Sequence, residues 1–514
     1  MDEGVRLAAR GGAPRRARSG RPQSNRLRRP ARLLTLMAFL AYAYAIPRGL
    51  LPNADSHIAL TRAIVDGHTL RIDAYAGGLA DRSAYHGHFY TDKAPGLSLL
   101  SVPAYALLRL VLPSSFFSPA LFFVARYLLT AIVVSLPAAL FVGALWRFLL
   151  PVLGRGRAAL LASGYAFGTM AWTLSALLFS HLVAAMSLFG AFMLLYPLSV
   201  HACPRLKRSV WRFTLAGGLC GLAVSCEYPS VLVAGLLALF AARVVWTRRE
   251  ETRRPWRALV LFGLAALALM APLALYNQAV YGSPLSQGYA HLHGGAQFIV
   301  GMRQGVEGVG LPRLAALWGI TFSPYRGLFV LSPFLLLVAP GVLAMWRRRR
   351  QRAAAVLCAA SIAAMLLFNA GYYFWDGGAS LGPRHLGPAL PFLVFPIAFA
   401  LRRRRWRRVG RLLILLSIAI VAASCLAVLI FPQGQANPFI GSVLPRLLRG
   451  PAENNWGLLL GLRGWASLVP LVAIEGGLVV ALRRSLRGAG YEVRAASDTT
   501  PSPSRTSRIA PYTS

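Results

Sequence analysis

Lysine is almost missing from this sequence, and negative charge is scarce. Of 55 basic residues only Lys93 and Lys207 are lysine; 16 acidic residues oppose them, leaving a net charge of +39. Cysteine is sparse too. Cys203, Cys220, Cys226, Cys358 and Cys425 stand singly in or beside apolar runs, and without a CxxC pair neither a disulfide framework nor a thiolate zinc site is indicated. No βαβ pattern carries a GxGxxG and no GxxxxGK[ST] occurs, so the usual nucleotide-binding domains are excluded. No soluble stretch is long enough to bury a core of its own. What is abundant is apolar sequence, 56% of the 514 residues, gathered in about a dozen runs near the length of a bilayer span.

The positive charge does not point to nucleic acid. It sits in short arginine clusters between apolar runs rather than interleaved with aromatics on one surface, which is the pattern of cytoplasmic loops. Twelve spans put these clusters on one side: 32–49, 119–146, 158–179, 182–200, 213–227, 229–246, 258–277, 327–346, 353–372, 386–401, 411–431 and 464–482. The apolar stretch 96–112 is read as a hairpin or interfacial helix, because a crossing there would invert every later cluster. Residues 1–31 and 484–514 read as disordered basic cytoplasmic tails around a membrane domain of 32–483. The outer loops are then 50–118, 278–326, 373–385 and 432–463. Localisation follows: a multi-pass protein of the cytoplasmic membrane, both ends inside, its polar chemistry facing out.

Acids and histidines collect on that outer side. Asp55, Asp66, Asp73, Asp81, Asp92, Glu227, Glu307, Asp376 and Glu453 lie there, and only Glu475 sits well inside a span. Charges at a membrane edge are costly and point to function. Asp55 lies in an expected short helix from Asn53 to Val65, where it also suits a capping role. Asp66, Asp73 and Asp81 read as solvated loop charges, and His57, His86 and His88 as surface residues. Lys93 stands beside Asp92 and before Ala94-Pro95-Gly96; a lysine among arginines supplies a compact point charge suited to phosphate. Ser180-His181, Glu227-Tyr228-Pro229, Gly288-Tyr289, Trp375-Asp376-Gly377-Gly378 and Gly382-Pro383-Arg384-His385 mark further outer turns. Trp375 also fits an interfacial belt, and Arg384 a lipid headgroup contact.

Outside the cytoplasmic membrane, activated sugars travel on polyprenyl phosphates or diphosphates. Transfer needs a carboxylate to take the acceptor's proton and positive charge on the leaving phosphate. Asp55 as base, with Lys93 and Arg384 as phosphate clamps, meets those needs. Asp92, His181, Glu227, Tyr228, Tyr289, Trp375 and Asp376 are the supporting acid or substrate-binding candidates.

An acid early in the first outer loop, followed by Phe89-Tyr90-Thr91-Asp92-Lys93-Ala94-Pro95-Gly96, resembles the GT-C superfamily of membrane glycosyltransferases. The nearest likeness, over roughly residues 32–200, is to family 39, the dolichyl-phosphate-mannose–protein mannosyltransferases and their bacterial relatives, including the lipid A aminoarabinose transferases. The resemblance implies an all-α polytopic GT-C-type bundle of about 12 transmembrane helices, with outer-face loops carrying short helices. It implies a polyprenyl-phosphate sugar donor, Asp55 as the catalytic loop acid and Asp92-Lys93 as the acid–lysine pair at the phosphate. The sequence departs from the pattern at Ala94, where the family usually writes proline, and at Ser180-His181, where many members carry Asp. A second acid is therefore missing or supplied by Glu227, and use of a divalent metal such as Mg or Mn stays open. The acceptor is a glycolipid, a glycan or a protein. Two other functions fit the architecture. A lipid-linked sugar flippase would place its charges at the bilayer midplane on repeated halves. An oligosaccharide ligase or polymerase would use a diphosphate-linked donor.

Overall fold

The computed structural model describes residues 21–49, 51–200, 206–451 and 454–497. Residues 1–20 and 498–514 of the two expected tails lie outside the described residues, as do Cys203 and Glu453. The chain is an all-helical polytopic membrane protein. Among the described residues, seven helices are long and apolar enough to cross a membrane: Phe122–Leu153, Ser180–Val200, Ser230–Thr247, Arg257–Tyr281, Arg349–Gly371, Arg404–Ala427 and Gly464–Arg487. Four shorter apolar helices accompany them: Gly96–Val111, Val210–Cys226, Pro333–Trp346 and Arg384–Ala400.

The expected spans differ from these helices where glycine and proline interrupt the backbone. The run 158–179 is not continuous: one helix ends at Phe167, Gly168 follows, and a short helix takes up Ala171–Ser175. The run 327–346 breaks at Ser332-Pro333, since proline lacks the N–H that the preceding turn needs. Polar groups near the first break find partners within the bundle, as a dry environment favours. Ser135 donates to the Ser175 carbonyl at 2.7 Å and Trp172 Nε1 to the Ala41 carbonyl at 3.1 Å. The core is aromatic, with Phe189, Phe192, Phe392 and Phe395 in mutual ring contact at centroid distances of 5.1 to 6.2 Å. Helix Arg21–Tyr42 begins inside the basic stretch, and the C-terminal helix Val469–Ser497 runs past 484.

The polar loops meet at one end. Ala45–Ile46 pairs with Asn454–Asn455, Ser83 bridges to Leu292, and Val309 to Tyr372. Buried Arg326 ties loops together by donating to the carbonyls of Gly378, Ser380, Phe431 and Pro432. Helix Ser180–Val200 carries His181 near its first residue and Tyr196 near its last; the Tyr196 hydroxyl bonds Gln351 at 2.9 Å. At 1.5 Å per residue these positions are about 20 Å apart. Close to Gln351 sit the arginine clusters, where Arg348 feels the charge of Arg402 and Arg403, and Arg157 that of Arg402 and Arg407. Acidic loops and basic clusters thus occupy separate ends of the bundle.

Candidate active site

A hairpin delivers the key loop. Ser83–Tyr85 pairs with His88–Tyr90, and the two connecting residues His86 and Gly87 both take positive φ, 49° and 80°. That is the turn that matches strand twist. The chain leaves Tyr90 through Thr91, Asp92 and Lys93 and enters helix Gly96–Val111. Gly96 packs so tightly that a Cβ there would collide with the Ser225 carbonyl. This close approach sets the start of helix Gly96–Val111 against the end of helix Val210–Cys226, and Lys93 and Glu227 line the same cavity. A Cβ on Gly288 would likewise meet the Asp92 backbone at 2.7 Å, which brings Tyr289 over Lys93 with its ring centroid 5.6 Å from Nζ.

These residues line a cavity of about 400 Å³ at the polar end of the bundle. Lys93 Nζ donates to Asp92 at 2.8 Å and to Asp81 at 2.9 Å. Asp92 is 3% exposed, and Ser56 Oγ donates to its other oxygen at 3.2 Å. Burial pushes the Asp92 carboxyl up; Lys93 opposes this and Asp81 adds to it, and the carboxyl ends above its ordinary value. Burial also pushes Asp81 up, but the Lys93 charge outweighs it and holds that carboxyl below its ordinary value. For Lys93, burial is outweighed by the two carboxylates, which hold the ammonium well above its ordinary value.

On the far side, Arg384 lies over the Phe179 ring at 5.3 Å. Its Nε is buried without a hydrogen-bond partner, and none of the ion pairs among the described residues includes it. Next to it His181, Glu227 and His385 approach one another. His181 Nδ1 lies 2.6 Å from Glu227 Oε2, and Ser180 Oγ donates to the same oxygen.

The structure therefore brings Lys93, Asp92, Arg384, His181, Glu227, Tyr228 and Tyr289 to one cavity. It does not bring Asp55 there. Arg126 Nη1 donates to Asp55 at 2.8 Å, and the Leu51 N–H donates to its second oxygen at 2.8 Å. These bonds fasten Asp55 at the start of helix Pro52–Gly67. Asp376 accepts from the Tyr325 hydroxyl at 2.7 Å and Trp375 packs edge-on against Tyr325; both stand outside the cavity lining. The reading of Asp66 and Asp81 as solvated is corrected, since Asp81 pairs with Lys93 and Asp66 with Arg109 at 2.9 Å; Asp73 is exposed, as expected, and lies 2.8 Å from His88. His57 is fully buried rather than on the surface, with Nδ1 3.2 Å from Ser98 Oγ; burial lowers its pKa to about 3. Three cavity residues escaped sequence reasoning. Asp81 lies in a loop of unremarkable composition, His385 was overshadowed by Arg384, and Asn53, with Oδ1 buried and unpartnered, gave no charge signal.

No protein-family model matches this chain. No curated protein matches it either. Among solved structures, ArnT from Cupriavidus metallidurans in the apo state aligns with a TM-score of 0.48 and 15% identity, covering 90% of this chain and 76% of that one. The structure of ArnT from the same organism bound to undecaprenyl phosphate aligns with a TM-score of 0.47 and 16% identity, covering 90% and 78%.

Proposed function

We propose that this protein is an integral-membrane glycosyltransferase that moves a sugar from a polyprenyl-phosphate donor to an acceptor hydroxyl at the outer face of the cytoplasmic membrane. The observation that carries this reading is the charge arrangement of the cavity: among the described residues Arg384 joins no ion pair, while Lys93 is held between two carboxylates. A cation without a counter-charge in a partly buried site is poised for an anion, and a phosphate satisfies it through charge-assisted hydrogen bonds. The Phe89–Gly96 motif supports the same chemistry. In this reading Asp92, not Asp55, takes the acceptor proton, because its carboxyl lines the cavity beside Lys93 and burial raises its proton affinity. The acceptor oxygen forms a bond to the anomeric carbon as the bond from that carbon to the phosphate oxygen breaks. Lys93 and Arg384 hold the departing phosphate, and Asp81 keeps Lys93 in position.

The test is donor turnover. Purified protein is mixed with a panel of polyprenyl-phosphate monosaccharides and an envelope extract, and free polyprenyl phosphate is followed by mass spectrometry. Release by wild type and not by Lys93→Ala is expected. No release from any donor would overturn the reading.

A further inference from the structure

His181, Glu227 and His385 form a second constellation on the cavity wall, and the phosphate chemistry above does not use it. One donor atom from each lies within 4.8 Å of the others. The two imidazole rings sit 5.4 Å apart between centroids, at 44°. His181 is 3% exposed, yet its Nε2 is buried with no partner among the described residues, and so is Nε2 of His385. A buried imidazole nitrogen without a hydrogen bond is costly, and here two such nitrogens stand together beside a carboxylate.

We propose that these three side chains bind one zinc-class transition-metal ion. Two imidazoles and one carboxylate form a donor set that suits Zn²⁺ over Mg²⁺, which prefers oxygen ligands. Zinc takes these donors at about 2.0–2.2 Å. Three protein ligands leave a fourth position open, and all three residues line the cavity. Ser180 Oγ already donates to Glu227, an outer hydrogen bond of the kind that fixes a metal-binding carboxylate. What the ion would do rests on the proposed function: its charge would lie beside Arg384, against the same phosphate.

Metal binding is measurable without any substrate, so it stands or falls apart from the transfer reaction. The purified chain is stripped with a chelator, dialysed, and titrated with Zn²⁺ alone and with Co²⁺ alone. One equivalent of zinc per chain is expected, with the visible ligand-field bands of tetrahedral cobalt in the Co²⁺ form. Glu227→Gln and His385→Ala should each weaken zinc binding more than about 100-fold. His385→Cys should retain the metal and add a sulfur-to-cobalt charge-transfer band, a result that only a folded site gives. Substoichiometric zinc in wild type, or stoichiometric zinc that survives both Glu227→Gln and His385→Ala, would overturn the proposal.

Discussion

Two of the acid–cation assemblies that involve the loop 50–118, Asp55 with Arg126 and Lys93 with its two carboxylates, differ in what their cations still lack. Arg126 is saturated: it donates to Asp55 and to the carbonyls of Pro47 and Gly49, both at 2.9 Å. Every contact is internal, so the assembly is a fastener between helix Pro52–Gly67 and helix Phe122–Leu153. Lys93 is bound by two carboxylates, but its assembly opens onto a cavity whose opposite wall carries the unpaired Arg384. A carboxylate beside a cation is therefore not in itself a sign of chemistry. The sign is a cation with capacity left, facing space.

The largest expected effect breaks this contrast at its centre. Lys93→Ala leaves Asp81 and Asp92 facing each other without a counter-ion. Turnover should fall about 100- to 1,000-fold, as when a donor to a developing anion is removed, measured as polyprenyl phosphate released. Asp92→Asn should cost about 100-fold or more while leaving donor binding in place. The same residue sets a pH signature. Because the Asp92 carboxyl is raised above its ordinary value, the base is ionised only above that raised value. Activity should therefore fall on the acid side at a pH higher than an ordinary aspartate would give, and this limb should disappear from the residual rate of Asp92→Asn. Arg384→Ala should weaken donor binding about tenfold with little change in melting temperature, since it removes no internal ion pair. The smallest effect on turnover belongs to Asp55→Asn. It should cost about 3 kcal/mol of stability, because Arg126 is left buried and unpaired, while turnover per folded molecule changes less than about threefold.

The same contrast explains how much could be read from the chain. The helical membrane architecture was legible, because apolar runs and arginine clusters are properties of composition along the sequence. Lys93 was legible through rarity, and Arg384, Glu227 and His181 through their places at expected turns. The role of Asp55 was not. Its sequence surroundings suit a base and a helix fastener equally, and its ion-pair partner Arg126 lies 71 residues away. Asp81 was missed for the same reason: only the hairpin 83–90 folds it back onto Lys93. Spans 158–179 and 327–346 read as continuous because hydropathy does not register a backbone break at Gly168 or Pro333. Long-range pairing and local breaks are three-dimensional facts, and a one-dimensional pattern of apolarity carries neither.

The most direct test sets the two assemblies against each other. Asp92→Asn and Asp55→Asn would be purified alongside wild type, the folded fraction of each determined, and donor turnover expressed per folded molecule. The account predicts that Asp92→Asn is reduced about 100-fold or more while Asp55→Asn keeps close to the wild-type rate. Loss of turnover in a fully folded Asp55→Asn, with Asp92→Asn active, would contradict it and return the base to Asp55.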